Sequence, residues 1–445
     1  MVASGNDEHF DFELIRNEKN QLFIPASGFA GMMRKHFYTS LDNLGEIAIS
    51  SEQLWGTENT KASSTFQSHL IIDDLICTKE SAVMVRDGVE IGAYGIAVDK
   101  SKYDYQFIEP GAEFKLQCEL TIRQGFNIEG IIKLVKFICA EGINGNYKQG
   151  AFTSHGFGEL IWKETKVSIF KFETDVEAWF DYLENGSINR QVVQQIADFN
   201  HGLAIVRKKI AKFNALFTIK SSLIIGSPDY REDGVEIDKV HLRNATGKPL
   251  ISSKSIRGPI RHRALRILNT LENPKSIHNI RSLFGFVEKA PLNIASKGRV
   301  RIKEYVFNEL HQLDADQIQT RIKIDRFTQG TIDGALFTTQ PIWHKSEQLK
   351  IVLELDDFIE EEIGLLLLVF KDLATGDLPL GGDKAVGRGV LIGKKLNVSI
   401  GDNHYLNLEI LSEDFKVRHD SKGDLEIGKV EAVIQNKLKN YVRTN

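Results

Sequence analysis

The chain carries the same sequence pattern twice, and this duplication constrains its fold more than any other feature. The segment FDFELIRNEKNQLFIPASGFAGMMRKHF (10–37) aligns with IDKVHLRNATGKPLISSKSIRGPIRHRAL (237–265). The matched positions include Asp11 with Asp238, Arg16 with Arg243, Gly31 with Gly258 and Arg34 with Arg261. A repeat whose glycine, arginine and aspartate positions coincide predicts two units of one structure.

A second landmark repeats later in each copy. Glycine-rich loops at 149–159 and 380–390 close the two copies, after intervals of slightly different length. Landmarks that keep their order while their spacing varies are typical of one fold with loops of different length. We therefore expect a first domain over residues 1–205 and a second over 206–445.

Each copy has the same predicted order of elements. A serine- and glycine-bearing loop leads into a basic helix, at 28–41 and at 255–272, for which Ser27 or Ser253/Ser255 is the expected cap. Strands and a hairpin follow, and then a second helix, at 129–140 and 359–373. The order β-α-β-β-α-β predicts an α+β protein of two tandem ferredoxin-like domains with hairpin and glycine-rich-loop insertions.

The two copies differ at their starts. The connecting segment 173–212 is predicted to be mostly helical, with a break at 185–187, and an apolar strand at 214–227 then opens the second copy. The first copy has no such strand in its sequence. We expect this first strand either to come from a neighbouring chain or to precede Met1.

Composition excludes several classes of protein. With 42% hydrophobic and 26% charged residues, the chain is neither disordered nor fibrous. Its three cysteines have no zinc-site or disulfide-framework spacing. The polar, acidic N-terminus is not a secretory signal, and the longest apolar run, at 363–370, is far shorter than a membrane span of ~20 residues. The sequence therefore predicts a soluble cytoplasmic protein with no membrane partner.

Positive charge is concentrated in the second copy. The whole chain has a net charge of −4, yet residues 239–271 contain eight Lys or Arg and no Asp or Glu. Two more basic clusters lie at 297–303 and 384–388. Such segregation favours a surface that binds a polyanion, and a serine-glycine loop at a helix N-terminus adds N–H donors for phosphate. The alternative interpretation is a solvated basic face of a helix.

Common enzyme motifs are missing from the sequence. The glycine-rich loops match neither GxxxxGK[ST] nor GxGxxG, and GxSxG and HExxH do not occur. The loops carry His155 and Arg388 at corresponding ends, which favours a close approach of backbone to a ligand.

A set of motifs resembles a known family. IPASG (24–28) and SKSIRG (253–258) each precede a basic helix, and in the second copy IDRFT (324–328), GALF (334–337) and a closing GGDKAVGRG (381–389) follow. This set resembles the RAMP superfamily, and within it the backbone subunits of type III CRISPR effector complexes. The resemblance covers nearly the whole chain twice, in a fused form similar to type III-D-like systems. It is weaker in the first copy, where no threonine follows the stretch that replaces IDR.

The resemblance implies a subunit that binds guide RNA (crRNA) in a filament, with a thumb hairpin that displaces one nucleotide of the target. It implies as partners the guide RNA, a complementary target RNA, the large polymerase/cyclase-like subunit, the small subunit and other RAMP subunits. The residues expected to contact RNA are Arg16, Ser27, Arg34, Lys35, His155, Arg243, Ser253, Lys254, Ser255, Arg257, Arg261, Arg263, Lys297, Arg299, Lys384 and Arg388.

In target-cleaving members, an aspartate before the IPGSSxKG-like motif promotes cleavage. On this sequence it corresponds to Asp238, and through the internal repeat to Asp11. The resemblance implies attack by the target's own 2′-hydroxyl on the adjacent phosphate, with a divalent metal, Mg or Mn, at the same two aspartates. A carboxylate beside cationic groups suits proton transfer and charge neutralisation.

Other interpretations remain open at this point. One alternative interprets Asp238 as a turn residue among acidic neighbours, and Asp325 as a structural partner of Arg326 or Arg321. The protein could be a non-cleaving scaffold or a subunit that caps the filament. A repeat-processing endoribonuclease would need a catalytic histidine, for which His36 is the candidate. From another class, a duplicated α+β metabolic enzyme would bind an anionic substrate.

Overall fold

The computed structural model of the chain describes residues 3–5, 10–40, 54–57, 67–92, 97–123, 127–186, 193–203, 209–227, 230–232, 235–288, 294–308, 318–343, 348–400, 404–408, 417–419, 423–425 and 438. The predicted boundary between residues 205 and 206 and the region around Met1 lie outside these residues. In the part of the chain that the structure describes, none of the helices is long and apolar enough to cross a membrane.

Helices occur where the sequence predicts the two basic helices and the two later ones. The α-helices of the described residues are α1 (Ala26–Ser40), α2 (Ile128–Ile143), α3 (Val176–Asn185), α4 (Ser253–Thr270), α5 (Ser276–Phe284) and α6 (Glu360–Thr375). Helix α4 is amphipathic and buries one face, which carries Ile256, Ile260, Ala264 and Leu268.

The starts of α1 and α4 differ from the prediction because other groups satisfy their free N–H groups. The Ser252 side chain caps α4 by accepting a hydrogen bond from the backbone N–H of Ser255. At the start of α1, the N–H of Ala26 donates to Asp74 Oδ1 at 2.7 Å. The expected caps Ser27, Ser253 and Ser255 therefore lie inside the first turns.

The strands of the first half are short. They are β1 (Ala3–Gly5), β2 (Phe12–Leu14), β3 (Phe23–Ile24), β4 (Leu70–Ile72), β5 (Leu75–Lys79), β6 (Val83–Gly88), β7 (Tyr103–Ile108), β8 (Glu113–Lys115), β9 (Cys118–Leu120), β10 (Val167–Ile169) and β11 (Gln194–Ile196). Strands β4 and β5 belong to different sheets, and between them Asp74 binds the start of α1.

The second half has longer strands. They are β12 (Ile210–Ile219), β13 (Ser222–Leu223), β14 (Gly226–Ser227), β15 (Tyr230–Glu232), β16 (Val235–Ile237), β17 (Lys239–His241), β18 (Leu250–Ile251), β19 (Gly285–Glu288), β20 (Ile294–Lys297), β21 (Val300–Ile302), β22 (Tyr305–Val306), β23 (Gln319–Ile324), β24 (Thr331–Gln340), β25 (Ile342–Trp343), β26 (Leu349–Asp356), β27 (Leu391–Ile400), β28 (His404–Leu408), β29 (Val417–His419) and β30 (Gly423–Leu425).

One four-stranded sheet occurs twice with the same topology. Its order is β1-β2-β7-β6 in the first half and β14-β17-β24-β23 in the second. In each sheet the first pair is antiparallel, the central pair is parallel and the last pair is a hairpin. The prediction of two tandem α+β domains with one fold and a hairpin insertion is confirmed.

The largest core belongs to the second half. The five-stranded sheet β21-β26-β12-β27-β28 has β12 at its centre, and α4 and α6 contribute to the same core. Alternate residues of β12 point into this core, and Phe213 stacks on Phe370 of α6 with ring centres 5.3 Å apart. Complete burial of each such side chain stabilises the fold by about 2 kcal/mol.

The two halves differ at this central strand. In the second half β12 pairs with both β26 and β27, so the predicted opening strand is present, but it runs over Ile210–Ile219. The rest of the predicted range 214–227 forms the separate short strands β13 and β14, each in another sheet. In the described residues of the first half, the corresponding sheet contains β4 and β9 alone. The predicted helical connection at 173–212 is correct for α3 and wrong for β11 and the start of β12, where strand pairing overrides the local helical pattern.

Candidate nucleic-acid interface

Asp238 lies at the start of β17 and is held by a neighbouring strand. Its Oδ2 accepts hydrogen bonds from the backbone N–H of Thr338 at 2.7 Å and from the Thr338 hydroxyl at 3.0 Å. The N–H of Asp238 donates to the same hydroxyl at 3.2 Å. These bonds from Thr338 hold the pKa of the Asp238 carboxyl below its ordinary value. The site therefore presents an ionised carboxylate at an exposed position.

Asp11 occupies the equivalent position of the first sheet. Its Oδ2 accepts the backbone N–H of Asp104 at 2.9 Å, and Asp104 Oδ1 accepts the N–H of Asp11 at 2.8 Å. Both copies thus place an exposed aspartate beside the same strand of the hairpin. The internal alignment of Asp11 with Asp238 therefore corresponds to one place in the repeated fold.

The donor set for a divalent metal is small. Among the residues that the structure describes, no three His, Cys, Asp or Glu side chains converge on one point. Each copy offers the oxygens of its aspartate, and the first copy adds those of Asp104. Such a set fits Mg²⁺ or Mn²⁺ only if phosphate and water supply the remaining ligands, which is usual for Mg²⁺ at nucleic-acid sites.

The basic helix α4 uses several of its cations for internal contacts. Arg263 Nε donates to Asp372 of α6 at 2.6 Å. The corresponding pair in the first copy is His36 with Glu141, with Nε2 and Oε2 2.5 Å apart. Both pairs join the first helix of a copy to the second, so His36 lies in a helix contact in the structure.

Arg257 is also engaged within the second copy. Its Nη2 donates to the Phe284 carbonyl at 2.7 Å, and its guanidinium lies 5.2 Å from the centre of the Phe284 ring. Burial, together with the smaller effect of the nearby Arg261 charge, lowers the pKa of Arg257 to about 10. Arg261 lies on the same helix and, unlike Arg257, is exposed to solvent.

Lys254 lies in an aromatic cage formed by the first copy. Its Nζ is 3.7 Å from the centre of the Tyr105 ring, 4.2 Å from that of Phe152 and 4.7 Å from that of Tyr103. The same nitrogen donates to the Tyr103 hydroxyl at 3.0 Å. Burial, together with the smaller effect of the Arg86 charge, lowers the pKa of Lys254 to about 7. In the structure this predicted RNA contact therefore joins the two copies.

Several further contacts cross the seam between the copies. We define the seam as the surface where the turn 153–155 and strands β6–β7 of the first copy meet α4 and β21–β22 of the second. Arg86 binds the Glu304 carboxylate, and its guanidinium lies 4.3 Å from the centre of the Phe107 ring. Lys303 pairs with Glu159 at 3.1 Å. The glycine-rich loop of the first copy is therefore seated on the second copy.

His155 lies in this seam. Burial, together with the smaller effects of the Arg257 and Lys254 charges, lowers its pKa to about 3. The imidazole is therefore neutral near pH 7. His241, in the second copy, is also neutral because burial lowers its pKa to about 3. Its Nδ1 accepts the N–H of Ile225, so it serves the packing of β17.

Two predicted RNA contacts close equivalent turns. Arg16 donates to the carbonyl of Asn20 at 2.7 Å, and Arg243 donates to that of Gly247 at 2.9 Å. Arg299 binds the Glu362 carboxylate of α6. Arg16 and Arg243 thus shape the turns that precede the basic helices α1 and α4, and Arg299 contacts α6.

The closing loop of the second copy carries a different cluster. The Arg388 side chain is only 4% exposed and donates to Gln319 Oε1 at 2.6 Å. Partial burial opposes ionisation of Asp383, but the hydrogen bond from Arg321 and the charges of Lys239, Arg321 and Arg388 lower its pKa overall. Lys384 begins the short 3₁₀ turn beside this cluster, where burial lowers its pKa.

A group of cations from both copies comes together beside the seam. Burial lowers the pKa of Lys297, and the charges of Lys35, Arg301 and Lys148 lower it further. Lys35 and Lys297 are exposed, and Lys35 follows Arg34, whose guanidinium is 5.8 Å from the Tyr38 ring centre. Because mutual repulsion of these cations is relieved by an anion, this surface is suited to a phosphate backbone.

Sequence reasoning missed the cage and the residues that hold the aspartates. The alternating segment YDYQF at 103–107 contains the available signal, because its aromatic residues share one strand face and Asp104 lies on the other. The pairing of Lys254 with this face depends on the packing of one copy against the other.

The chain matches a known family twice. A model described as the RAMP superfamily matches residues 2–178 and again residues 216–392. No curated protein matches the chain. RAMP proteins work in CRISPR ribonucleoprotein complexes, with RNA and other subunits.

Proposed function

Because the chain belongs to the RAMP superfamily, we propose that it is a guide-RNA-binding backbone subunit of a type III CRISPR interference complex and that each copy cuts complementary target RNA. The observation that carries the proposal is the equivalence of Asp11 and Asp238. Both are exposed, and both are hydrogen-bonded to the same strand of the repeated sheet. Two equivalent aspartates favour the same chemistry at two places along one target.

The cations beside the seam support binding of a polyanion. Lys35 comes from the first copy and Lys297 from the second, and their charges influence one another. A guide that crosses from one copy to the other would meet both. Contacts to phosphate carry no base sequence, which suits a protein that leaves target choice to pairing between guide and target.

The proposed reaction is a transesterification within the target. The 2′-oxygen of one nucleotide forms a bond to the adjacent phosphorus, the bond from phosphorus to the 5′-oxygen breaks, and the products carry a 2′,3′-cyclic phosphate and a 5′-hydroxyl. An ionised carboxylate such as that of Asp238 can accept the proton of the 2′-hydroxyl. Cationic side chains nearby stabilise the charge that develops on the phosphate.

Asp11 and Asp238 are also the residues that would hold a divalent metal, Mg or Mn. Such an ion supplies Lewis acidity at a phosphate oxygen and stabilises negative charge. The protein contributes few ligands, so phosphate oxygens and water would complete the coordination.

The proposal extends to the surroundings of the protein. We propose that the chain consists of two fused domains, 1–205 and 206–445, as in type III-D-like systems. It would act in the cytoplasm, as part of an antiviral effector complex. Its partners would be the large polymerase/cyclase-like subunit, the small subunit and other RAMP subunits.

The test is target cleavage by the assembled, guide-loaded complex. Asp11→Ala, Asp238→Ala and the double variant are compared with Asp181→Ala, which removes an exposed aspartate of α3. We expect each single variant to lose a different cut while the guide stays bound, and the control to cut as the unmodified protein does. Persistence of every cut in the double variant would overturn the cleavage proposal and leave a non-cleaving scaffold.

A further inference from the structure

The residue opposite each aspartate differs between the copies. The parallel pairing of β17 with β24 brings Asp238 beside Thr338, and the pairing of β2 with β7 brings Asp11 beside Asp104. We infer that Thr338 is a positioning residue, whose hydroxyl holds the Asp238 carboxylate in one orientation for target cleavage. This inference rests on the proposed function of Asp238.

The hydrogen bonds around Thr338 determine the direction of its hydroxyl proton. The hydroxyl oxygen accepts the backbone N–H of Asp238 at 3.2 Å, so its own proton is available to Asp238 Oδ2 at 3.0 Å. The backbone N–H of Thr338 binds the same carboxylate oxygen at 2.7 Å. One carboxylate oxygen is thereby held at two points, and the orientation of the second oxygen follows.

This double contact matters because Asp238 is exposed. An exposed aspartate samples several rotamers, and each rotamer that points away from the target lowers the population that can react. Threonine is suited to the task because its β-branched side chain is stiff at χ1 and keeps the hydroxyl on one side.

The first copy lacks this hydroxyl. Asp104 accepts the N–H of Asp11 through its own carboxylate and binds Asp11 through its backbone N–H. An ionised carboxylate accepts hydrogen bonds and does not donate them. The side chain of Asp104 therefore cannot hold Asp11 as Thr338 holds Asp238. The two proposed cuts should respond differently when Thr338 is changed.

The decisive variants are Thr338→Val and Thr338→Ser. Valine keeps the shape of threonine and the backbone N–H but removes the hydroxyl, and serine keeps the hydroxyl. Thr320→Val makes the same substitution at the exposed threonine that pairs with Thr338 on β23, and it serves as the control. Single-turnover cleavage by the guide-loaded complex is followed for each variant, with the two cuts separated by product length.

We expect Thr338→Val to slow the cut made by the second copy about fivefold, the effect of losing one hydrogen bond worth ~1 kcal/mol. Thr338→Ser keeps the hydroxyl and should therefore keep the original rate, and Thr320→Val should also leave the rate unchanged. The cut made by the first copy should be unchanged in all three variants, and this internal reference reports correct folding and assembly.

Two failures can be told apart. If Asp238→Ala removes a cut but Thr338→Val leaves the rate of that cut unchanged, the positioning role is wrong and the proposed function stands. If Asp238→Ala removes no cut, the catalytic role of Asp238 is wrong, and the inference about Thr338 is overturned with it.

Discussion

The ammonium group of Lys254, in the second copy, lies 3.7 Å from the centre of the Tyr105 ring, in the first. This lysine belongs to the loop motif that resembles an RNA-binding signature, yet here it joins the two copies. Tyr103 and Phe152 complete the cage. A cation over aromatic faces is attracted by the ring quadrupoles, so the contact is specific as well as buried.

The cage makes stability depend on pH. Burial lowers the pKa of Lys254 to about 7 from an ordinary value of 10.5. Between these values the unfolded chain binds a proton that the folded chain does not, so stability rises with pH through this window. Relative to Lys254→Met, the unmodified protein should gain about 2 kcal/mol in free energy of unfolding between pH 7 and 9. Urea denaturation of both proteins at several pH values measures the difference, and parallel curves would contradict it.

The ion pair of Arg86 with Glu304 should couple the two copies energetically. The Arg86 side chain is 6% exposed, so Arg86→Ala leaves the partner carboxylate without its main counter-charge in a partly buried place. We expect a loss of about 3 kcal/mol, with coupling between Arg86→Ala and Glu304→Ala in a double-mutant cycle. The control is Lys79→Ala, since the Lys79–Glu113 pair is exposed and should contribute less than about 1 kcal/mol. Equal losses at both pairs would refute the prediction.

The glycine-rich loops should tolerate no side chain at one equivalent position. A Cβ at Gly158 would overlap the Gln149 carbonyl oxygen, and a Cβ at Gly389 would overlap that of Leu380. We expect Gly158→Ala and Gly389→Ala each to cost about 3 kcal/mol or more. Gly334 has a similar positive φ but open space around it, so Gly334→Ala should cost about 1 kcal/mol. Thermal unfolding ranks the three variants. If Gly334→Ala were as unstable as the other two, backbone strain alone, and not the overlap with a carbonyl oxygen, would be responsible.

The cations beside the seam should set the salt dependence of guide binding. Lys35→Glu and Lys297→Glu each reverse the charge of an exposed residue of this group. Each should weaken guide-RNA binding and reduce the slope of log K against log salt by about one. Lys163→Glu, at an exposed position in the first copy, provides the control for total charge. Binding titrations at four salt concentrations test this, and identical slopes in all three variants would exclude a local contact.

The repeated elements could be predicted because their signals are local. The apolar spacing of α4 and the alternation along β12 and β26 are visible in the sequence and are present in the structure. The connection after α3 was predicted wrongly. Residues of β11 have a helical pattern, but pairing with β10 decides their conformation, and a partner strand about 27 positions away leaves no local signal.

The same contrast applies to the candidate site, where the aspartates could be predicted from the sequence and the residues that hold them could not. The positions of Asp11 and Asp238 follow from the alignment of the two copies, and the structure places both beside the same strand. The residues that hold them, Asp104 and Thr338, lie about a hundred positions away in the chain. Only the parallel pairing of strands identifies these partners, because nothing in the local sequence relates them.

The duplication, the α+β class of each copy and the basic segment at 239–271, with eight Lys or Arg and no acidic residue, can all be read from the sequence, because repeats, periodicity and charge depend only on the order of residues. The use of each individual cation depends on the folded structure. Lys254 and Arg263 serve packing, because the low-dielectric interior pairs a charge with whatever group the fold brings near it. Lys35 and Lys297 instead share an open surface.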